Sequence, residues 1–309
     1  MADAAAPPLI EAPDVKATRP GVLARLLRNP SVLIGGFLIL LIAGIGLLAP
    51  LLTPIDPAAI NPSNRNKLPG FETTERDDDG NKVTRVARMG TDSLGRDIYA
   101  RVLYGARVSL TVGLAVAALS VAIGLVIGLV AGYFRALDGV IMRVMDGLMA
   151  IPGILVAIAL VSLSGASLLT VIVAVTIPDI PRVVRLVRAI VLSIREEPYV
   201  EAAISVGTPT PKILWRHVLP NTIAPLIVQA TFTAGAAILL EAALSFLGVG
   251  IPPEIPTWGN IMAEGRTVFQ LYPHNILYPA AFLTVTVLAV NMLGDGLRDT
   301  LDPRMAKRV

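Results

Sequence analysis

The chain has 309 residues, 16% of them charged, and a mean hydropathy of +0.70, which together exclude an ordinary soluble domain and predict an integral membrane protein. Its net charge of +3 is too small to indicate a nucleic-acid partner. Cysteine is absent, which excludes disulfide bonds, thiolate metal sites and cysteine nucleophiles.

The chain opens with a tail over residues 1–30 that contains Arg19, Arg25 and Arg28. Residues 31–52 are apolar, and about 22 residues make roughly 33 Å of helix, enough to cross the hydrocarbon core of a bilayer. This stretch is too long for the apolar core of a signal peptide. We predict that it is the first transmembrane helix, and the basic residues before it place the tail in the cytoplasm.

Residues 53–106 are predicted to form an extracytoplasmic loop that contains a hairpin and an interfacial helix. The hairpin is predicted from two short strands, 71–75 and 83–86, which flank an Asp-rich turn with a glycine at position 80. The loop is long, and long loops escape the rule that basic residues stay inside, so its arginines do not contradict an external location.

The end of this loop predicts an amphipathic helix that lies along the membrane interface before the second span. Thr91 or Asp92 is expected to cap that helix, because their side chains accept hydrogen bonds from the first turn. Arg101 and Arg107 are expected to extend their charged groups to the interface while their aliphatic stems remain in apolar surroundings.

Residues 107–309 are predicted to form the core transmembrane domain. The sequence predicts its five helices over 107–133, 141–164, 167–194, 219–247 and 276–298. With the first helix this makes an all-α membrane protein of six transmembrane helices, with both termini inside (N-in/C-in) because basic residues also end the chain. In the second span, glycines at positions 124, 128 and 132 recur every four residues and predict close helix packing.

Proline and charged residues interrupt the next two spans. Pro152 is expected to kink the third span, and Arg143 and Asp146, three residues apart, are expected to pair. The fourth span must continue through Pro178 and Pro181, a break that lipid would not tolerate, so this segment is expected to face protein or a water-filled path.

Three arginines in the fourth span, at positions 182, 185 and 188, are expected either to anchor at lipid headgroups or to contact a cytoplasmic partner. Asp179 is a candidate for the transport pathway, since acids inside a membrane are costly, and a local salt bridge or helix cap is the alternative. Glu241 in the fifth span is a second pathway candidate, with a buried structural hydrogen bond as its alternative.

Between the fourth and fifth spans, residues 196–218 are predicted to form a short helix, a sharp turn and a second short helix in the cytoplasm. Pro198 suits the first position of a helix, and Gly207 suits the left-handed residue that ends it. Thr210 with Pro211 starts a second helix that runs through Trp215. Helices this short are marginal alone, so their apolar face predicts a partner surface. That face is formed by Tyr199, Ala202, Ala203 and Val206.

Two sets of motifs resemble one family. Glu201-Ala202-Ala203, followed by Gly207 and Leu219-Pro220, resembles the EAA coupling loop of ABC-importer permeases. Several other motifs are similar to the C-type permease subunit of dipeptide, oligopeptide and nickel importers. These motifs are Gly90-Thr91-Asp92, Leu94-Gly95-Arg96-Asp97, Leu103-Tyr104-Gly105-Ala106-Arg107 and the ending from Asn291 to Arg304. The resemblance covers about residues 20–309 and leaves the hairpin outside it.

This resemblance implies a type I ABC importer permease fold in a bacterial plasma (inner) membrane, as a multi-pass subunit embedded in lipid. It implies a B-type permease as partner in a heterodimer, two cytoplasmic ABC ATPase subunits and an extracytoplasmic substrate-binding protein. It also implies that the loop docks on an ATPase subunit. The coupling residues it implies are Tyr199, Glu201, Ala202, Ala203, Val206, Gly207 and Trp215.

No Gly-x-x-x-x-Gly-Lys-Ser/Thr loop occurs in the sequence, so the chain is not expected to bind ATP, and ATP with Mg²⁺ is expected on the partner ATPase subunits. No Ser/His/Asp or His-Glu-x-x-His pattern occurs either, which disfavours a membrane enzyme. We therefore expect a non-catalytic subunit without cofactor or metal that imports di- or oligopeptides. The alternatives are import of nickel, glutathione or another small solute, or ion-coupled secondary transport through acids such as Asp179 and Glu241.

Overall fold

The structure is a computed structural model that describes residues 21–76 and 82–301. Almost every element in this part of the chain is helical. The helices are α1 Val22–Leu26, α2 Pro30–Leu47, α3 Ala49–Leu52, α4 Ile98–Tyr133, α5 Arg135–Met149, α6 Gly153–Ser164, α7 Leu168–Arg195, α8 Pro198–Ser205, α9 Thr210–Ile213, α10 Leu219–Phe246, α11 Trp258–Gly265 and α12 His274–Leu301. The strands are β1 Phe71–Arg76 and β2 Lys82–Ala87.

Four helical stretches of the described chain are long and apolar enough to cross a membrane, and α5 with α6 provides a fifth if this bent pair is one span. The four are α2, α4, the stretch Thr210–Phe246 and α12. The 28-residue α7 carries arginines through its second half and packs against both α4 and α10. The predicted all-helical membrane fold is confirmed, while the count of six spans and the N-in/C-in orientation stay predictions.

The centre of the bundle is the contact between α4 and α7. A Cβ atom added at Gly128 would lie 2.6 Å from Cβ of Val187, and Gly124 and Gly132 meet valines of α7 in the same way. Any side chain larger than hydrogen would push the two helices apart. The glycines repeated every four residues therefore form a packing surface, as predicted.

The hairpin is also confirmed, with β1 and β2 antiparallel from the pair Phe71–Ala87 to the pair Arg76–Lys82. The predicted turn between the strands lies outside the described residues. Lys67 places its ammonium 4.7 Å from the centre of the Phe71 ring, which ties the base of the hairpin to the preceding loop.

The prediction that Thr91 or Asp92 caps a separate interfacial helix is wrong. Helix α4 is continuous, and its cap is Asp97, whose side chain accepts a hydrogen bond from the backbone N–H of Ala100 at 2.8 Å. Gly95, with a φ of +79°, makes a tight turn in which its N–H reaches the carbonyl of Asp92. The side chain of Asp92 accepts its hydrogen bonds within this turn and caps no helix. The helix therefore starts downstream, at Ile98.

Arg101 does not extend to the interface, as the sequence predicted, because its side chain is completely buried. Its guanidinium lies 3.4 Å from Glu264 of α11 and 3.8 Å from Asp92. Arg96 pairs with the same two acids, at 2.7 Å from Asp92. Burial acts to lower the pKa of Arg96, but the carboxylates of Asp92 and Glu264 outweigh it and raise that pKa.

The third predicted span is two helices and not one kinked helix. Helices α5 and α6 are bent by 84° at the break that ends in Pro152. Proline lacks the N–H needed to continue the hydrogen-bond ladder, and α6 begins at the next residue. The predicted pair of Arg143 with Asp146 is wrong as well, because Asp146 accepts from Arg185 of α7 at 2.6 Å.

The arginines of α7 were expected to meet lipid headgroups or a cytoplasmic partner. The structure places Arg182, Arg185 and Arg188 each in an ion pair within the chain, and the two predicted external contacts stay predictions. Arg182 pairs with Asp179 at 3.2 Å, and the other two bind acids of α5, Arg185 at Asp146 and Arg188 at Asp138. These two pairs connect α5 to the second half of α7.

Candidate functional site

The site predicted between the fourth and fifth spans is a pair of short helices joined by a glycine turn. Helix α8 begins at Pro198, as predicted, and ends at Ser205, two residues before Gly207, which has a φ of +79°. The N–H of Gly207 reaches the carbonyl of Ile204, and the N–H of Thr208 reaches that of Ala203 at 3.0 Å. No atom lies within 4 Å of where a Cβ of Gly207 would be, so backbone conformation and not space selects glycine.

The second short helix, α9, begins at Thr210. Its N-cap is the residue before it, Pro209. A π-helical turn, Leu214–Val218, follows α9 directly and leads into α10. The backbone is therefore helical without interruption from Thr210 to Phe246. A continuous helix therefore connects α9 to α10.

One side of the pair is fixed to the bundle. Val200 of α8, Ile213 of α9 and Val218 of the π-helical turn are buried, with relative exposures of 0–1%. They belong to one apolar cluster with Val191 and Ile194 at the end of α7. The role of Val200 was not predicted from the sequence. Val200 lies beside Tyr199 and off the predicted apolar face, a position that indicates a side chain directed toward the bundle.

The other side of the pair is exposed. Val206 is 82% exposed, Trp215 75% and Tyr199 46%. Glu201 and Ala202 are exposed as well, and Ala203 is half-buried. Most of the predicted coupling residues are therefore accessible in the described chain. A large exposed apolar surface on a rigid base marks a site of protein contact.

Asp179 lies in α7 directly after Pro178 and is 7% exposed. Arg182 donates to one of its carboxylate oxygens at 3.2 Å. Both residues line a cavity of about 380 Å³ at the break between α5 and α6. The local salt bridge, given as an alternative from the sequence, is therefore present, and it lies on the wall of a cavity.

Glu241 lies in the packed interior, is completely buried and is not part of the cavity lining. One carboxylate oxygen accepts from Ser245 Oγ at 2.8 Å, and the other has no hydrogen-bond partner among the described residues. The structure does not bring the two pathway candidates together. It gives Glu241 the buried hydrogen bond that was its alternative.

Sequence reasoning also missed the four-residue ion cluster formed by Asp92, Arg96, Arg101 and Glu264. Glu264 is separated from the others by more than 160 positions, and no local pattern pairs it with them. The cluster joins the loop before α4 and the first turn of α4 to α11.

Comparison with known proteins identifies the class to which this fold belongs. Residues 124–307 match the model of the binding-protein-dependent transport system inner membrane component, and residues 21–69 match the N-terminal transmembrane domain of oligopeptide transport permease C. A structure of the MetNI methionine ABC transporter in an inward-facing conformation shares the fold, with a TM-score of 0.54 and 18% identity over 66% of this chain and 97% of that chain.

Three relatives are similar over most of their length. A probable peptide ABC transporter permease protein of Sinorhizobium fredii is 51% identical over 91% of each chain. A dipeptide transport system permease of Alkalihalophilus pseudofirmus is 41% identical over 91% of this chain and 88% of that protein. A glutathione transport system permease of Escherichia coli is 44% identical over 70% of this chain and 72% of that protein. The chain belongs to the binding-protein-dependent ABC transporter permeases, and the resemblance to their C-type subunits is confirmed.

Proposed function

We propose that this protein is one half of the translocation pathway of an ATP-driven importer of di- or oligopeptides. Of the three relatives described above, the two that match over nine-tenths of this chain are a peptide and a dipeptide permease, which favours peptides over glutathione. The protein itself is not catalytic and binds no nucleotide. ATP and Mg²⁺ are bound by separate ATPase subunits.

The exposed surface of α8 and α9 carries this proposal. Val206, directly after α8, and Trp215, in the π-helical turn after α9, are three-quarters exposed or more, yet the adjoining helices are anchored through the buried Val200 and Ile213. A marginal helix pair keeps such an exposed face only where a partner covers it. We assign that partner as an ABC ATPase subunit in the cytoplasm.

The remaining partners are a B-type permease, which completes the pathway as a heterodimer, and an extracytoplasmic binding protein that delivers the peptide. The location is the bacterial inner membrane. This assignment rests on the family description of the matched region and on the relatives, each of which is a permease component.

The mechanism that we propose is alternating access. Closure of the ATPase dimer moves α8 and α9, and since α9 continues into α10, the fifth span changes its tilt with them. The two states differ in the contacts that this surface makes, and a conformational shift requires such a difference. The buried base formed by Val200 and Ile213 makes α7 move with the same surface.

Substituting Gly207 tests the coupling. Gly207→Val places a β-branched residue at φ +79°, which is strongly disfavoured, whereas Gly207→Asn tolerates that conformation. In the complete complex in proteoliposomes, Gly207→Val is expected to reduce ATP-dependent peptide uptake about tenfold or more while membrane insertion and basal ATP hydrolysis persist. Gly207→Asn is expected to retain most of the uptake.

A protonophore added with ATP present serves as the control for the energy source. Uptake is expected to continue when the proton gradient has collapsed, because ATP provides the energy. Normal uptake by Gly207→Val, or uptake that stops with the gradient, would contradict the proposal.

A further inference from the structure

The cavity beside Asp179 lies where the break between α5 and α6 meets the proline-containing part of α7. Helix α7 passes through Pro178 and Pro181, and the chain breaks between α5 and α6 at Pro152. Asp179 follows the start of α7 by 11 residues, about 17 Å of helix, which is about half of a 30 Å hydrocarbon core. Broken helices at mid-membrane depth are tolerated where they line a cavity, and transporters place their ligands there.

The side chains that line this cavity are apolar apart from one ion pair. Met149, Pro152, Ala236 and Leu240 contribute apolar surface, and Asp179 and Arg182 contribute the charges. At about 380 Å³ the cavity is at the small end of ligand sites, large enough for a dipeptide and too small for a long chain. It is open in the isolated chain, since Met149 is 39% exposed and Ala236 is also exposed.

The two charges of the pair differ in their surroundings. The Asp179 side chain is only 10% exposed, whereas that of Arg182 is 61% exposed. The carboxylate is thus the charge fixed in the cavity wall, whereas the guanidinium lies on a longer and mostly uncovered side chain that can move away from it. An incoming cation that takes the place of the guanidinium leaves no buried carboxylate unpaired.

We infer that this cavity is a binding site for the free N-terminal ammonium group of the transported peptide, with Asp179 as its anionic partner and Arg182 as a displaceable counter-ion. The inference rests on the proposed function, since it gives the substrate a contact within the pathway. The ammonium replaces the guanidinium on the carboxylate, and the apolar walls contact the first side chain.

The absence of native cysteine allows a direct test, because an introduced cysteine is unique in this chain. Ala236→Cys places a thiol on the cavity wall. In the complete complex in nanodiscs, with cysteine-free partner subunits, its modification rate is measured with a cationic and an anionic methanethiosulfonate of similar size. The ratio of the cationic to the anionic rate reports the sign of the local field.

The ratio is expected to be above one with the native pair and to rise when Arg182→Gln removes the positive charge. It is expected to fall about tenfold when Asp179→Asn removes the negative charge. Asp146→Asn, which breaks the comparable pair with Arg185 outside the cavity, is the matched control and is expected to leave the ratio unchanged. Opposite effects of Arg182→Gln and Asp179→Asn cannot come from a general loss of structure.

Ligand identity is tested with the same thiol. Dialanine is expected to slow the modification of the complex with Asp179, N-acetyl-dialanine is expected not to slow it, and Asp179→Asn is expected to abolish the difference. A ratio of modification rates that is unchanged by Asp179→Asn, or equal protection of the thiol by the two dipeptides, would overturn the inference. Neither result affects the proposed function, which fails separately if uptake does not require ATP.

Discussion

Among single residues, the buried charges around the start of α4 are unusual, because charged side chains are rarely buried unless they are paired. Arg101 is completely buried, and its Nε and Nη1 groups have no hydrogen-bond partner among the described residues. Its contacts with Glu264 and Asp92 are long, at 3.4 and 3.8 Å, whereas Arg96 binds the same acids closely. Arg96 is therefore the main partner of the two carboxylates.

This difference predicts unequal costs of substitution. Glu264→Gln leaves two buried guanidinium groups facing one carboxylate, and breaking a buried pair in this way costs on the order of 3 kcal/mol. Arg101→Met removes a poorly satisfied charge and replaces it with apolar volume, so it is expected to cost less. Each purified variant is heated, and the fraction that remains folded is measured by size-exclusion chromatography. The midpoints of thermal unfolding of the two variants are then compared. A lower midpoint for Arg101→Met would contradict this account.

At the scale of the elements, the contact between α4 and α7 depends on the glycines repeated every four residues. Gly128→Ala is expected to destabilise the protein by about 1–3 kcal/mol, because its Cβ would lie 2.6 Å from Cβ of Val187 and 3.0 Å from a backbone oxygen of Val184. The measurement is the midpoint of thermal unfolding in detergent.

Gly36→Ala is the matched control for this prediction. Gly36 also lies within an apolar helix, α2, but no atom lies within 4 Å of where its Cβ would be. Alanine has the higher helix propensity, so this substitution is expected to be neutral or slightly stabilising. Equal destabilisation by the two substitutions would show that the packing of α4 on α7 is not the cause.

At the scale of the whole molecule, the sequence predicted what local signals determine. Pro198 and Gly207 act on their own backbone, and the bounds that they predict for α8 are the observed ones. The sequence could not predict contacts between distant segments. The ion pairs of Arg185 and Arg188 were not predicted, because Asp146 and Asp138, which bind them, lie about 40 and 50 positions away.

The same distinction explains the exposed site. Apolar residues at helical spacing predicted a face on α8, and the structure shows that this face is uncovered, with Val206 82% exposed. The sequence did not predict that Ile213 and Val218 fix the base, because that requires the position of α7. A hydrophobic pattern identifies which residues need a partner surface, and only the fold shows which of them the chain itself covers.

The orientation of the bundle provides the last prediction, because the proposed function requires the short helices and the hairpin to lie on opposite sides of the membrane. Ser205 at the end of α8 and Glu72 in β1 are both exposed. In the absence of native cysteine, Ser205→Cys and Glu72→Cys each introduce one thiol. In intact spheroplasts, a membrane-impermeant maleimide is expected to label Glu72→Cys and not Ser205→Cys, and lysis is expected to make the second thiol reactive. Labelling of Ser205→Cys before lysis would place α8 outside the cell, where no ATPase subunit could bind it.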